Sequence, residues 1–343
     1  MLLNHSDLLP IYHNGTMILI DDEEDFLLSL KSSLNRKFAV RGFTSPTKAY
    51  QYIMQQQTRF DDNFQLFESY YDGEDIAETG DDIVLIKSSQ LKSYAFDIQR
   101  YGLISIVIID QMMPSITGLE LCKQLEATGV KIILLTGQMA DADTIAAFNE
   151  GLIDGYVNKK DENSIKDLIK LINKLNIEFF IERLHSLKFI FDISSRQPLG
   201  DFQVQEIMQK AYENFPFSEY YYIPNAPGFL LVNEKGERQF CLFDTEAHQK
   251  DVCDSIHSDF GDIDLVKAMK KGELICWDLL DDTDIAFFKD PKALAKRLFL
   301  CHQDKGYRWA LIPIEKTPLK VGANDLSWKE YQNQMEQLPL DYV

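Results

Sequence analysis

Positive charge is what this sequence has least of: 35 lysines and arginines stand against 54 aspartates and glutamates, a formal net of −19. Divided after Ser194, the first part holds 18 basic and 29 acidic residues (−11) and the second 17 and 25 (−8). Phosphate backbones demand local positive charge, so nucleic-acid binding by bulk electrostatics is disfavoured for either half. Cysteine is scarce as well. The five present (Cys122, Cys241, Cys253, Cys276 and Cys301) are odd in number and form no C-x-x-C pair, which argues against a disulfide framework. No apolar run approaches the ~20 residues of a membrane span, and the run Met17–Ile20 passes straight into Asp21–Asp25. With no export signal read, the expected location is the cytoplasm, away from membranes. Repeats and low-complexity tracts are missing too, while a 45% hydrophobic content with 22 Phe and 15 Tyr excludes a disordered chain.

What is there is a succession of short apolar runs, each followed by a helical pattern. Met17–Ile20 reads as a strand buried on both faces, and Phe26, Leu27, Leu30 and Leu34 have helical spacing. Phe38–Val40 is a second strand, with Ser45-Pro46 opening a second helix. The pattern loosens from about Arg59 to Arg100, then Ile104–Ile109 gives a strong strand ending at Asp110. Lys131–Leu135 and Gly155–Val157 complete five strand-then-helix steps. Such alternation predicts an α/β fold, a doubly wound five-stranded parallel sheet. A helix beginning near Asn163 continues without Pro or Gly to about Phe191. Beyond a linker at Ser194–Gly200 the pattern is α+β, with a hairpin turn at Asn233–Gly236 and a loosely anchored tail. The expected domains are 16–176 with an insertion at about 59–100, an extended linker helix at 163–194, and an α+β output domain at 195–343.

The chemistry lies at the strand ends. Asp21 and Asp22 end the first strand, Asp110 the third, Thr136 the fourth, and Lys159 follows the fifth. In a doubly wound sheet these points converge on one rim. Three carboxylates there need a cation to stay ionised together, and oxygen-only ligands suit Mg²⁺. Each residue also has a plain reading, as acidic cap, strand end or surface lysine; it is their joint occurrence in order that carries the argument. A carboxylate nucleophile, a hydroxyl and an ammonium are the parts of an aspartyl-phosphate site.

The segments "ILIDDEED", "VIIDQMMPSITGLEL", "ILLTG" and "GYVNKK" resemble the receiver domain of two-component response regulators, a flavodoxin-like fold, over roughly residues 16–175. That resemblance implies Asp110 as phosphoacceptor, with Asp21, Asp22, Asp110 and the Met112 backbone carbonyl holding Mg²⁺. It implies that Thr136 contacts the phosphoryl group, that Lys159 pairs with it, and that Tyr156 is the switch aromatic. It further implies a sensor histidine kinase as partner, and because the face that the switch remodels leads into the apolar Ile165–Phe191 helix, a homodimer on phosphorylation is expected. "TGQMADADTIAAFNEGLIDGYVNKKD" and the insertion resemble a subgroup that includes quorum-sensing response regulators of the α-hydroxyketone (Lqs) type. Two features depart from the receiver pattern. Lys160 stands where the family usually has Pro, so the loop there is expected to run differently. And 88 positions separate Asp22 from Asp110, about twice the usual span, which places the insertion between them.

The output half resembles no DNA-binding module, cyclase or kinase. A noncatalytic interaction module is the leading expectation. One alternative is a phosphorylation-controlled, nuclease- or hydrolase-like enzyme using Asp244, Glu246 and His248. Another is direct DNA binding through Lys289, Lys292, Lys296, Arg297, Lys305 and Arg308, the one locally basic stretch; a solvated helix face is the plainer reading of it. Cys241, His248, Cys253 and His257 match no established zinc spacing.

Overall fold

Residues 8–63, 67–70, 83–86, 94–137, 142–194, 201–223, 228–277, 290–319 and 326–341 are described by a computed structural model of the chain. The elements begin with β1 (Ile11–Tyr12), β2 (Thr16–Ile20), α1 (Glu24–Leu34), β3 (Ala39–Phe43), α2 (Pro46–Asn63), β4 (Phe67–Tyr70) and β5 (Ile83–Ile86). A 3-10 turn at Ile98–Gly102 leads to β6 (Ile104–Asp110), α3 (Gly118–Leu125), β7 (Lys131–Thr136), α4 (Ala142–Asn149), β8 (Gly155–Asn158) and α5 (Ser164–Ser194). Next come α6 (Phe202–Asn214), β9 (Glu219–Ile223), β10 (Gly228–Val232), β11 (Arg238–Thr245), α7 (Glu246–Phe260), α8 (Asp264–Lys270) and β12 (Leu274–Cys276). The chain ends with α9 (Pro291–Ala295), β13 (Leu298–Leu300), β14 (His302–Asp304), β15 (Tyr307–Pro313) and α10 (Trp328–Gln337). No described helix is long and apolar enough to cross a membrane.

These elements form two units. One combines Asn14–Gln65, Asp97–Arg183 and Leu326–Val343. Its sheet is parallel throughout, in the order β3-β2-β6-β7-β8, as the strand-then-helix alternation predicts. Alternate residues of each central strand enter opposite cores: Ile18, Ile20, Val107 and Ile109 on one face, Met17, Leu19, Ile106 and Ile108 on the other. Burial on both faces is why these strands read as unbroken apolar runs. The strand order reverses between β2 and β6, which opens the crevice where such sheets place their chemistry.

The tail is where expectation and structure part. Far from being loosely anchored, α10 packs on the edge of this sheet, with Trp328 and Tyr331 buried against Tyr101 and Ala39. The Tyr331 hydroxyl and Thr16 Oγ1 are 2.7 Å apart, and Lys31 Nζ donates to the Leu338 carbonyl at 2.8 Å. Asp341 accepts from the Thr44 and Ser45 backbone N–H groups (2.9 and 3.0 Å) and from the Thr44 hydroxyl (2.5 Å), beside the start of α2. Leu340 packs close over Gly42, where a Cβ would meet its Cδ2 at 2.7 Å and oblige that side chain to shift.

The other unit combines Met1–His13, Leu66–Phe96 and Leu184–Asp325. Its sheet has six strands in the order β1-β9-β10-β11-β15-β14, all neighbours antiparallel, beside the pair β12-β13. The β10–β11 hairpin turns where predicted, with Gly236 at φ 81° and its N–H on the Asn233 carbonyl. β1, unread in the sequence, adds to β9 through Ile11–Tyr221 and Tyr12–Tyr220. The insertion holds an antiparallel pair, β4 with β5. Although it is inserted between strands of the parallel sheet, its contacts group Leu66–Phe96 with the antiparallel unit. Tyr94 OH lies 2.6 Å from His13 Nε2, and the Arg238 guanidinium sits 5.2 Å from the Phe96 ring. Residues 71–82 and 87–93 of the insertion lie outside the described residues.

Candidate functional site

Each site residue is delivered by the end of an element. β2 carries Asp21 and Asp22 beyond its last residue, and β6 ends on Asp110. Asp21 and Asp110 are buried, Asp22 is exposed, and one carboxylate oxygen of each lies within 4.8 Å of the others. Among the described residues this is the only group of three acidic or metal-binding side chains so placed. Asp21 is held from below by the Glu23 backbone N–H, which donates to its Oδ1 at 3.0 Å. Asp110 Oδ2 accepts from the Met112 N–H at 3.2 Å, and the Met112 side chain stands out in solvent.

Lys159 closes the cluster. Its Nζ lies 2.6 Å from Asp21 Oδ2 and 2.6 Å from Asp110 Oδ1. Its backbone N–H donates to the Thr136 carbonyl at 2.8 Å, which ties the loop after β8 to the buried end of β7. The Phe26 ring, 4.4 Å from Nζ, covers its other side; sequence reasoning assigned Phe26 only to a helix face. Burial pushes the Asp110 carboxyl above the ordinary aspartate range, and the Lys159 hydrogen bond and charge pull the other way without cancelling it. Burial also disfavours the Lys159 ammonium, but its bonds to Asp110 and Asp21 outweigh this and hold it above the usual lysine range.

The departure at Lys160 has a local solution. The described chain has no cis peptide bond, and the Asn158 side chain accepts from the Lys160 N–H at 2.9 Å, turning the loop in place of a proline. Tyr156 is 41% exposed on β8 and meets Phe148 of α4 edge to face at 5.9 Å. Gly118 has a steric reason: a Cβ there would sit 2.4 Å from the Asp110 carbonyl oxygen. Gly118→Ala must therefore push α3 away from the end of β6. We expect it to cost about 1–3 kcal/mol in a urea titration, as overpacking does; an unchanged midpoint would show that α3 shifts freely.

The sequence matches the family of response regulator receiver domains over residues 83–172. The chain carries a receiver domain. The match begins within the insertion, so Asp21 and Asp22 fall outside it and join the matched part through the parallel pairing of β2 with β6 and the Lys159–Asp21 ion pair. Among solved structures, the Legionella pneumophila response regulator LqsR shares the fold: TM-score 0.70 at 23% identity, covering 96% of this chain and 97% of LqsR. A CheY-like receiver protein from Methanospirillum hungatei JF-1 covers 49% of this chain and 98% of its own, at 16% identity and a TM-score of 0.31. No curated protein matches the sequence.

The remaining candidates fall in the antiparallel unit. α9 spans only Pro291–Ala295, so no helix gathers the basic stretch on one face. Arg297 and Arg308 are buried, Lys305 pairs with Glu206 at 2.7 Å, and Lys292 and Lys296 are exposed; Lys289 lies outside the described residues. Asp244 is buried with its Oδ2 on His248 Nδ1 and on Gln249 Nε2 (2.8 Å for the latter), while Glu246 lines a separate cavity. Cys241 and Cys253 are buried, and His257 pairs with Asp262 at 3.0 Å.

Proposed function

We propose that this protein is a two-component response regulator whose Asp110 accepts a phosphoryl group from a sensor histidine kinase. The observation that carries the reading is one ammonium, Lys159 Nζ, held 2.6 Å from both Asp21 and Asp110 at the switch point of the sheet. An Asp110 carboxylate oxygen attacks phosphorus, the phosphorus–nitrogen bond of the donor phosphohistidine breaks, and the electron pair leaves with the imidazole. Lys159 is placed to follow the new negative charge, exchanging Asp110 for a phosphoryl oxygen while keeping Asp21. Thr136, at the end of the neighbouring strand, is the hydroxyl nearest in sequence order to receive another phosphoryl oxygen.

The donor set fits a hard divalent cation, since Asp21, Asp22 and Asp110 offer only oxygen. With the Met112 carbonyl these residues would hold Mg²⁺, which neutralises phosphoryl oxygens when bound. Asp22→Ala removes the one solvent-facing carboxylate of the three. It is expected to raise the Mg²⁺ concentration needed for phosphorylation while leaving the fold intact, measured by a Mg²⁺ titration of labelling against far-UV circular dichroism.

Phosphorylation is proposed to favour a homodimer through the α4–β8–α5 surface. Ile145, Phe148, Tyr156 and Ile165 are each exposed by two-fifths or more there, and the Thr136–Tyr156 switch would remodel that surface. Light scattering should show the mass doubling on addition of a beryllofluoride phosphoryl mimic; one monomer mass in both states across micromolar concentrations would refute it. The output half is read as a noncatalytic interaction module in a cytoplasmic protein. The enzyme alternative has its hydrogen-bonded Asp244–His248 pair, but Glu246 lines a cavity that neither of them lines. Nucleic acid remains the disfavoured partner, because the exposed cations of the basic stretch are few.

A further inference from the structure

In the antiparallel unit a cavity of about 510 Å³ opens between α7, α8 and β15. Its most unusual wall is Arg308. The residue is 8% exposed, and its guanidinium forms no ion pair with a carboxylate among the described residues. One terminal nitrogen, Nη1, donates to the Met269 and Leu274 carbonyls at 2.9 and 3.1 Å. Nε is buried without a partner among the described residues. Its cross-strand neighbour Asp244 spends Oδ2 on His248 and Gln249 instead. A buried cation without a counter-charge is costly, because desolvation removes water that neither carbonyl fully replaces. Such a group is well suited to an anion from outside.

The rest of the lining agrees. Lys250 of α7 and Lys270 of α8 add two more cations. Lys270 reaches only the exposed Asp262, at 3.3 Å. Glu246 and Asp254 are exposed on the same face of α7, four residues to either side of Lys250, and form no ion pair with Arg308 or the lysines within 4 Å. The lining holds three cations and two carboxylates, with Asp262 beside it on Lys270, so Arg308 and Lys250 are the cations without an ion pair among the described residues. The Met269 side chain supplies an apolar wall.

We infer that this cavity binds a small molecule carrying a phosphate or carboxylate group. The anion meets the Arg308 guanidinium between Lys250 and Lys270, and Glu246 and Asp254 receive hydroxyl or amino groups of the same molecule. A guanidinium flanked by two ammonium groups gives charge-assisted hydrogen bonds to either oxyanion, so the two ligand classes share one chemistry. The volume admits a metabolite rather than a macromolecule. The site is independent of the phosphoacceptor: its ligand would act as a second input to the output half.

The test uses the full-length protein with methyl-labelled methionine, its Met269 signal assigned by Met269→Leu. Inorganic phosphate and citrate are titrated at constant ionic strength against sodium chloride. The expected result is a saturable shift of the Met269 methyl with phosphate or citrate and none with chloride; which of the two binds more tightly names the ligand class. Lys250→Glu and Lys270→Glu alter exposed side chains, so they should keep the melting temperature while weakening binding by about tenfold or more. Arg308→Lys, which keeps the charge but loses the guanidinium's fixed position on the Met269 and Leu274 carbonyls, should weaken it further. Equal shifts in chloride, or unchanged affinity in both lysine variants, would overturn the proposal.

Discussion

Asp110→Asn protein, incubated with Mg²⁺ and a small phosphodonor or the cognate kinase, is expected to take up no phosphoryl group, where the parent protein takes up one. The amide is nearly isosteric but cannot attack phosphorus, so the loss is chemical rather than structural. It also removes the anion that pairs with Lys159 at 2.6 Å, leaving that ammonium to Asp21 alone. The melting temperature should therefore move by far less than the labelling. Intact-mass spectrometry under conditions that preserve acyl phosphates gives the result directly. Equal labelling of both proteins would transfer the acceptor to another residue and remove the basis of the functional reading.

The second large effect concerns the end of the chain. Deleting residues 326–343 strips the parallel sheet of Trp328, Tyr331 and Leu340 and leaves the Thr44 and Ser45 N–H groups without Asp341. Truncating one buried aromatic costs about 3–5 kcal/mol. Since a whole domain holds only ~5–15 kcal/mol, the shortened receiver should be largely unfolded or exchange its β3 amides freely. Single substitutions grade the effect. Trp328→Ala should fall in the same ~3–5 kcal/mol range, and Asp341→Ala should cost about 1–2 kcal/mol, as loss of a helix-start acceptor does. Hydrogen exchange read at Ala39–Phe43 reports on this edge specifically. Protection unchanged by the deletion would mean that α10 rests on the sheet without supporting it. The practical consequence is that a receiver fragment ending near residue 176 lacks part of its own edge.

Legibility in the sequence followed the range of the interaction. The run Ile104–Ile109 could be read as a doubly buried strand because both of its faces need apolar side chains, and the structure sends alternate residues into two cores. Asp110, Lys159 and their companions could be read because strand ends in a doubly wound sheet converge by topology. Gly118 was legible as part of a motif, but its cause, a 2.4 Å approach to the Asp110 carbonyl, was not. The short strand Ile11–Tyr12 was invisible: two residues carry no periodicity, and only the Tyr220–Tyr221 backbone makes them a strand. The basic stretch was misleading in the opposite sense. Helical spacing suggested a shared face, yet the helix ends at Ala295 and Arg297 and Arg308 turn inward.

The sequence by itself determined the parallel sheet, the order of its strands along the chain and the acidic rim, because apolar periodicity and strand-end chemistry are local properties. Tertiary structure alone decided which segments complete each unit. Asp341 and Thr44 are separated by 297 positions yet share two hydrogen bonds, and Tyr331 meets Thr16 across 315. Nothing in the composition of either segment encodes such a partner, since the free energy of closing so long a loop depends on the fold already formed around its ends.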